Sequence, residues 1–149
     1  AAVIPGLLEK TKITAVTANH ATMVRFINIG IAQCNTGVFN LNDIKTASGG
    51  NTDPPCYDII GNNKATYTAT TFSAHFEGIK LENVYGCNVS VNPGCPQIFA
   101  TSQGCNASQN PSGKGCTTIT GVSNTITVVT CTKDPCGASE KLTDIININ

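Results

Sequence analysis

Cysteine supplies the first chemistry to weigh, at Cys34, Cys56, Cys87, Cys95, Cys105, Cys116, Cys131 and Cys136. Eight thiols either hold metal or pair as disulfides. Zinc sites show themselves as C-x2-C pairs or as histidines a few residues from cysteines. Here the tightest pair is Cys131 and Cys136, and His20 and His75 lie far from every cysteine in sequence. No metal site is read, and four disulfides formed in an oxidising compartment are expected. Spacing alone does not choose among the pairings.

The stretch from Cys87 to Cys116 carries four of these cysteines and two N-x-S tripeptides, Asn88-Val89-Ser90 and Asn106-Ala107-Ser108. Such tripeptides are glycosylation acceptors on the surface of secreted proteins. The stretch is rich in Asn, Ser, Gly and Pro, with one short apolar run from Pro96 to Ala100. It has too little apolar surface to order itself by packing. Cross-links, at roughly 2–4 kcal/mol each, order such a segment instead. Residues 87–116 are therefore expected to form a disulfide-stapled, glycosylated loop region.

Acid–base and nucleophilic chemistry finds little support. Ser73-Ala74-His75, read on a strand, points both side chains the same way rather than at each other, and no G-x-S-x-G elbow accompanies it. His75 is read as a polar strand residue. His20 follows Asn19 at an expected turn and is read as exposed; no cysteine lies near enough in sequence for a copper site. Glu77 and Glu82 fall on opposite faces of an expected strand. Asn40-x-Asn42-Asp43 and Asn51-x-Asp53 carry oxygens, but neither matches a calcium loop of the EF-hand kind. No catalytic, cofactor-binding or metal residue is predicted, and the protein is read as non-enzymatic.

The elements that must position these groups read as strands. Phe39 and Leu41 alternate with asparagines in GVFNLNDI; Tyr67 and Ala69 alternate with threonines in KATYTATTF; Ile79 and Leu81 alternate with charges in EGIKLEN. TMVRFINIGI is almost continuously apolar, as in a strand covered on both faces. TTITGVSNTITVVTC is β-branched, with a turn between Gly121 and Asn124, and KLTDIINI closes the chain as a last strand. Only Pro5 to Lys10 offers a helical start. The fold expected is all-β, a disulfide-stabilised antiparallel sandwich or jelly-roll, as one domain over residues 1–149.

Charge narrows the partners. Only 12% of residues are Asp, Glu, Lys or Arg, and the net charge is zero. Nucleic acid needs clustered Lys and Arg, and the nine basic residues here are scattered. No apolar run is long enough to span a membrane. Little colloidal repulsion keeps copies apart. The opening Ala-Ala-Val-Ile-Pro reads as a mature N-terminus from which a signal peptide has been removed, and the expected location is extracellular, secreted or at the cell surface.

Two functions follow. The first is a structural subunit that self-assembles into a filament, pilus-like fibre or surface layer, its partner being itself. Residues 1–33 hold no cysteine, and the run from Glu9 to Ala18 resembles the N-terminal strand of donor-strand pilins. That resemblance implies assembly by strand addition to a neighbouring subunit. Type IV pilins open on a long apolar helix, and no such helix is read at this N-terminus. The alternative is a monomeric recognition module (an effector, toxin, defence protein or glycan binder) that meets a host or cell-surface protein or glycan through the Cys87–Cys116 loop.

Overall fold

A computed structural model describes residues 6–81, 83–85, 114–133 and 136–149. The all-β expectation is overturned. The first element, α1 (Leu7–Asn35), is a 29-residue helix. It is followed by a small hairpin of β1 (Ile44–Lys45) and β2 (Asn51–Thr52), then α2 (Cys56–Ile59) and α3 (Ala65–Gly78). An antiparallel sheet of β3 (Thr117–Val122), β4 (Thr125–Cys131) and β5 (Lys141–Asn147) completes the order, with β4 central.

Helix α1 replaces the strands expected within residues 9–35. Its buried side chains are Val16, His20, Met23, Ile27, Gly30, Ile31 and Cys34. Val16, His20, Met23, Ile27, Gly30 and Cys34 alternate in steps of four and three, which is one face of a helix. Threonines resist helix because of their β-branching. Here Thr11, Thr14, Thr17 and Thr22 each donate a hydroxyl to the carbonyl four residues earlier, at 2.8–3.0 Å. The hydroxyl is thereby satisfied inside the helix rather than competing with it. The helix ends where Gly37 takes a left-handed conformation (φ 93°) and donates its N–H to the Cys34 carbonyl, a common glycine stop.

KATYTATTF is likewise helical, forming most of α3. The buried set Ala65, Thr68, Ala69, Phe72, Ser73, His75 and Phe76 recurs at three and four. Tyr67, expected to point inward, is half exposed, and Thr68, expected outward, is fully buried with its hydroxyl donating to the Ile59 carbonyl at 2.6 Å. The strand expected at EGIKLEN is instead the end of α3 and the turn after it, with Lys80 at φ 57°. In GVFNLNDI, Phe39 is exposed and Leu41 buried, but the only regular pairing is Ile44–Lys45 in β1.

The C-terminal strands are those read from the sequence. Register runs Ile119↔Val128 and Gly121↔Ile126 on one side of β4, and Val128↔Asp144 and Ile126↔Ile146 on the other. The turn falls at Ser123–Asn124, leaving Gly121 inside β3. A Cβ at Gly121 would overlap the Ala65 carbonyl, so glycine lets α3 start directly on the strand. Ala65 N–H donates to the Ser123 carbonyl, and the Thr66 hydroxyl donates to that of Gly121.

One face of the sheet carries Ile119, Ile126, Val128 and Ile146 into a core shared with Met23 and Ile27 of α1 and Phe72 and Phe76 of α3. Where the helices cross, Gly30 leaves room for Phe72: a Cβ there would sit 2.9 Å from its ring. Phe26 meets Phe72 and Phe76 edge-on. The other sheet face leaves Val122 and Ile145 largely exposed.

Candidate functional site

A connected polar cluster lies between α1 and the sheet, and each of four elements contributes one group. His20 of α1 places Nε2 2.7 Å from Asp144 Oδ2 on β5 and Nδ1 2.7 Å from Thr130 Oγ1 on β4. Thr130 in turn lies 2.7 Å from Thr117 Oγ1 on β3. A carboxylate only accepts, so Nε2 carries a proton and donates to Asp144. In the neutral ring Nδ1 then accepts the Thr130 hydroxyl, and the Thr117 hydroxyl donates to Thr130. The chain Asp144–His20–Thr130–Thr117 ties the helix to all three strands.

Hydroxyl, imidazole and carboxylate are the parts of a nucleophilic triad, yet the nucleophile must also reach a substrate. Thr130 is fully buried and already paired with Thr117. In this arrangement the hydroxyl is a structural partner. What solvent does reach is the outer side of the cluster, a groove of about 650 Å³ along α1 and β5. His20 and Asp144 are part of its lining, with Ala21, Val24, Ile29 and Ala32 of α1 and Leu142 of β5 giving it an apolar character. Arg25 and Asn28 add polar groups.

His75 holds the second buried imidazole. It lies on α3, not on a strand, and is 5% exposed. Its Nδ1 accepts the backbone N–H of Lys45 at 2.9 Å. Phe26 stacks on its face, with centroids 4.4 Å apart and planes 8° from parallel. Burial first, and the nearby Lys45 ammonium second, lower its pKa from the ordinary 6.5. Ser73, two residues away on the helix, is buried as well and does not form a pair with it.

The cysteines fall into place unevenly. Cys34, in the last turn of α1, is bonded to Cys56 at the start of α2, and Cys131 is bonded to Cys136. Cys116 is disulfide-bonded too. Cys87, Cys95 and Cys105, with the sequons at Asn88 and Asn106, lie outside the described residues, and so does Glu82. Among the described residues no group of three or more His, Cys, Asp or Glu side chains could hold a metal ion. No helix among them is long and apolar enough to cross a membrane.

The expected exposed turn histidine, His20, is instead 4% exposed inside the helix–sheet seam. Its partners lie 110 and 124 residues away in sequence, a separation that no local pattern reveals. Comparison with family models, with curated proteins and with solved structures finds no match for this chain.

Proposed function

We propose that the protein is a non-enzymatic structural subunit of an extracellular fibre, assembled through α1. One observation carries this reading. The first nine residues of α1, from Leu7 to Ala15, contribute no buried side chain, and Leu7 and Leu8 are 51% and 60% exposed. At 1.5 Å per residue they extend about 13 Å. Further along the same helix runs the apolar groove against β5. An apolar tip and an apolar groove on different parts of one molecule make a heterologous contact, which propagates into an open filament unless its rotation closes a ring. The partner is a second copy: its Leu7 and Leu8 seat against Ala21, Ile29 and Ala32.

The zero net charge supports this reading, since it removes repulsion between copies. Disulfides in the described part are consistent with an oxidising, extracellular setting. Assembly by N-terminal strand addition is withdrawn, because residues 9–18 are helical. The ground for excluding type IV pilins also weakens, because the long opening helix is present, though it is not apolar throughout.

Sedimentation velocity with negative-stain microscopy tests the proposal, using Leu7→Glu/Leu8→Glu for the tip and Ala32→Arg for the groove. All three positions are exposed, so both variants should melt like the parent yet stay monomeric where the parent assembles. Mixed together they should form one-to-one heterodimers and nothing longer, because each supplies the surface that the other lacks. A parent chain that stays monomeric at high concentration would overturn the reading and favour the recognition module.

A further inference from the structure

Beyond that reading, the β1–β2 hairpin has a fastening of its own. Its contact with α3 is close: a Cβ at Gly78 would overlap the Thr46 carbonyl, and Ile44 is 2% exposed. Across this seam His75 Nδ1 accepts the Lys45 backbone N–H. The same ring is clamped by Phe26 on its face and Phe76 at its edge, so it has little freedom to turn away.

We propose that His75 is an acid-sensitive latch that holds the β1–β2 hairpin on α3 and releases it when the imidazole is protonated. A protonated Nδ1 is a donor and would face the Lys45 N–H, a second donor, across 2.9 Å. The charge that reaches the ring works in the same direction. From α1 the ring meets Phe26, from α3 its neighbour Phe76, and from β1 the charged group is the Lys45 ammonium, of the same sign as the imidazolium. Lys45 Nζ itself donates to Asn51 Oδ1 across the hairpin. Release therefore frees the hairpin as a unit and uncovers Ile44.

The sign follows from linkage. The closed form holds the imidazole below its ordinary 6.5, so the open form binds the proton more readily. Closure is fully favoured above 6.5 and loses ground as pH falls toward the lowered value, by up to about tenfold in the opening constant per pH unit. Below the lowered value the loss levels off.

Amide hydrogen exchange between pH 8 and 4.5, corrected for intrinsic rates, reads this directly, with ring nitrogen shifts following His75. The expected result is a rising opening constant for Lys45 while Ile27 and Ile126 stay protected. In His75→Asn the side-chain oxygen takes the acceptor position at every pH, so the acid response should vanish. Three results overturn the latch: Lys45 opening that stays flat while the ring titrates, an acid response retained in His75→Asn, or Ile27 and Ile126 opening in parallel. The wild-type arms decide the matter even if the variant fails to fold.

Discussion

Replacing Cys34 and Cys56 together by alanine should be the costlier of two disulfide removals, and the structure sets by how much. The bond spans a sequence separation of 22, whereas Cys131–Cys136 spans 5. The chain-entropy relation gives an unfolded-state loss of about 11 cal/mol/K for the longer loop and about 7 for the shorter. At room temperature these are about 3.4 and about 2.1 kcal/mol, a gap of about 1.3 kcal/mol. Cavity terms do not reverse the order, since Cys34 and Cys56 are both buried, whereas in the second pair Cys131 is buried and Cys136 only partly so. Thermal unfolding of the two double variants, checked by urea titration, measures the difference. The first should melt roughly 7–14 °C below the parent, at about 2–4 °C per kcal/mol for a chain of this size. If removing Cys131–Cys136 cost as much or more, loop closure would not be the source of the stabilisation.

Other expectations bear on the core and its polar seam. Gly121→Ala should cost about 3 kcal/mol by pushing α3 off β3, seen as a fall in the urea midpoint without a change in slope. Phe72→Ala, which empties the crossing of α1 and α3, should cost about 3–5 kcal/mol by the same assay. His20→Ala, losing two hydrogen bonds at about 1 kcal/mol each, should destabilise by about 2 kcal/mol. Asp144→Asn should cost less than about 1 kcal/mol, because its side chain is 51% exposed and the pair is screened by solvent. A larger cost for Asp144→Asn than for His20→Ala would mean that the buried hydroxyls are not the main partners.

The C-terminal strands were legible because their local chemistry and their environment agree. Thr117 to Val122 and Thr125 to Cys131 are β-branched for most of their length, and Ser-Asn marks the turn. The helices were not legible, for a reason specific to this composition. In α3 the alternation of Tyr67 and Ala69 with threonines mimics a period of two, although Thr68 is the buried member. In α1 half of the 4–3 stripe consists of His20, Gly30 and Cys34, which a search for apolar residues passes over. Gly30 is buried because Phe72 needs its space, and His20 because two strands supply its partners. Both are facts of tertiary packing. The same holds for the candidate site: His20 was visible as a residue, but Thr130 and Asp144 join it only once the sheet is laid against the helix.

The bond between Cys34 and Cys56 also fixes how the molecule carries load. A pull applied at Leu7 runs along the axis of α1 and reaches its far end at Asn35. There the helix is joined to α2 by a covalent bond as well as by side-chain packing. The last turn of α1 therefore cannot be peeled from the head while that bond is intact. Tension must shear the whole Val16–Cys34 stripe at once, and with it the His20 seam. Reduction of that one buried bond would leave the packing of the stripe alone to resist the pull until the chain beyond Asn35 is drawn taut, so the load the helix bears depends on redox conditions.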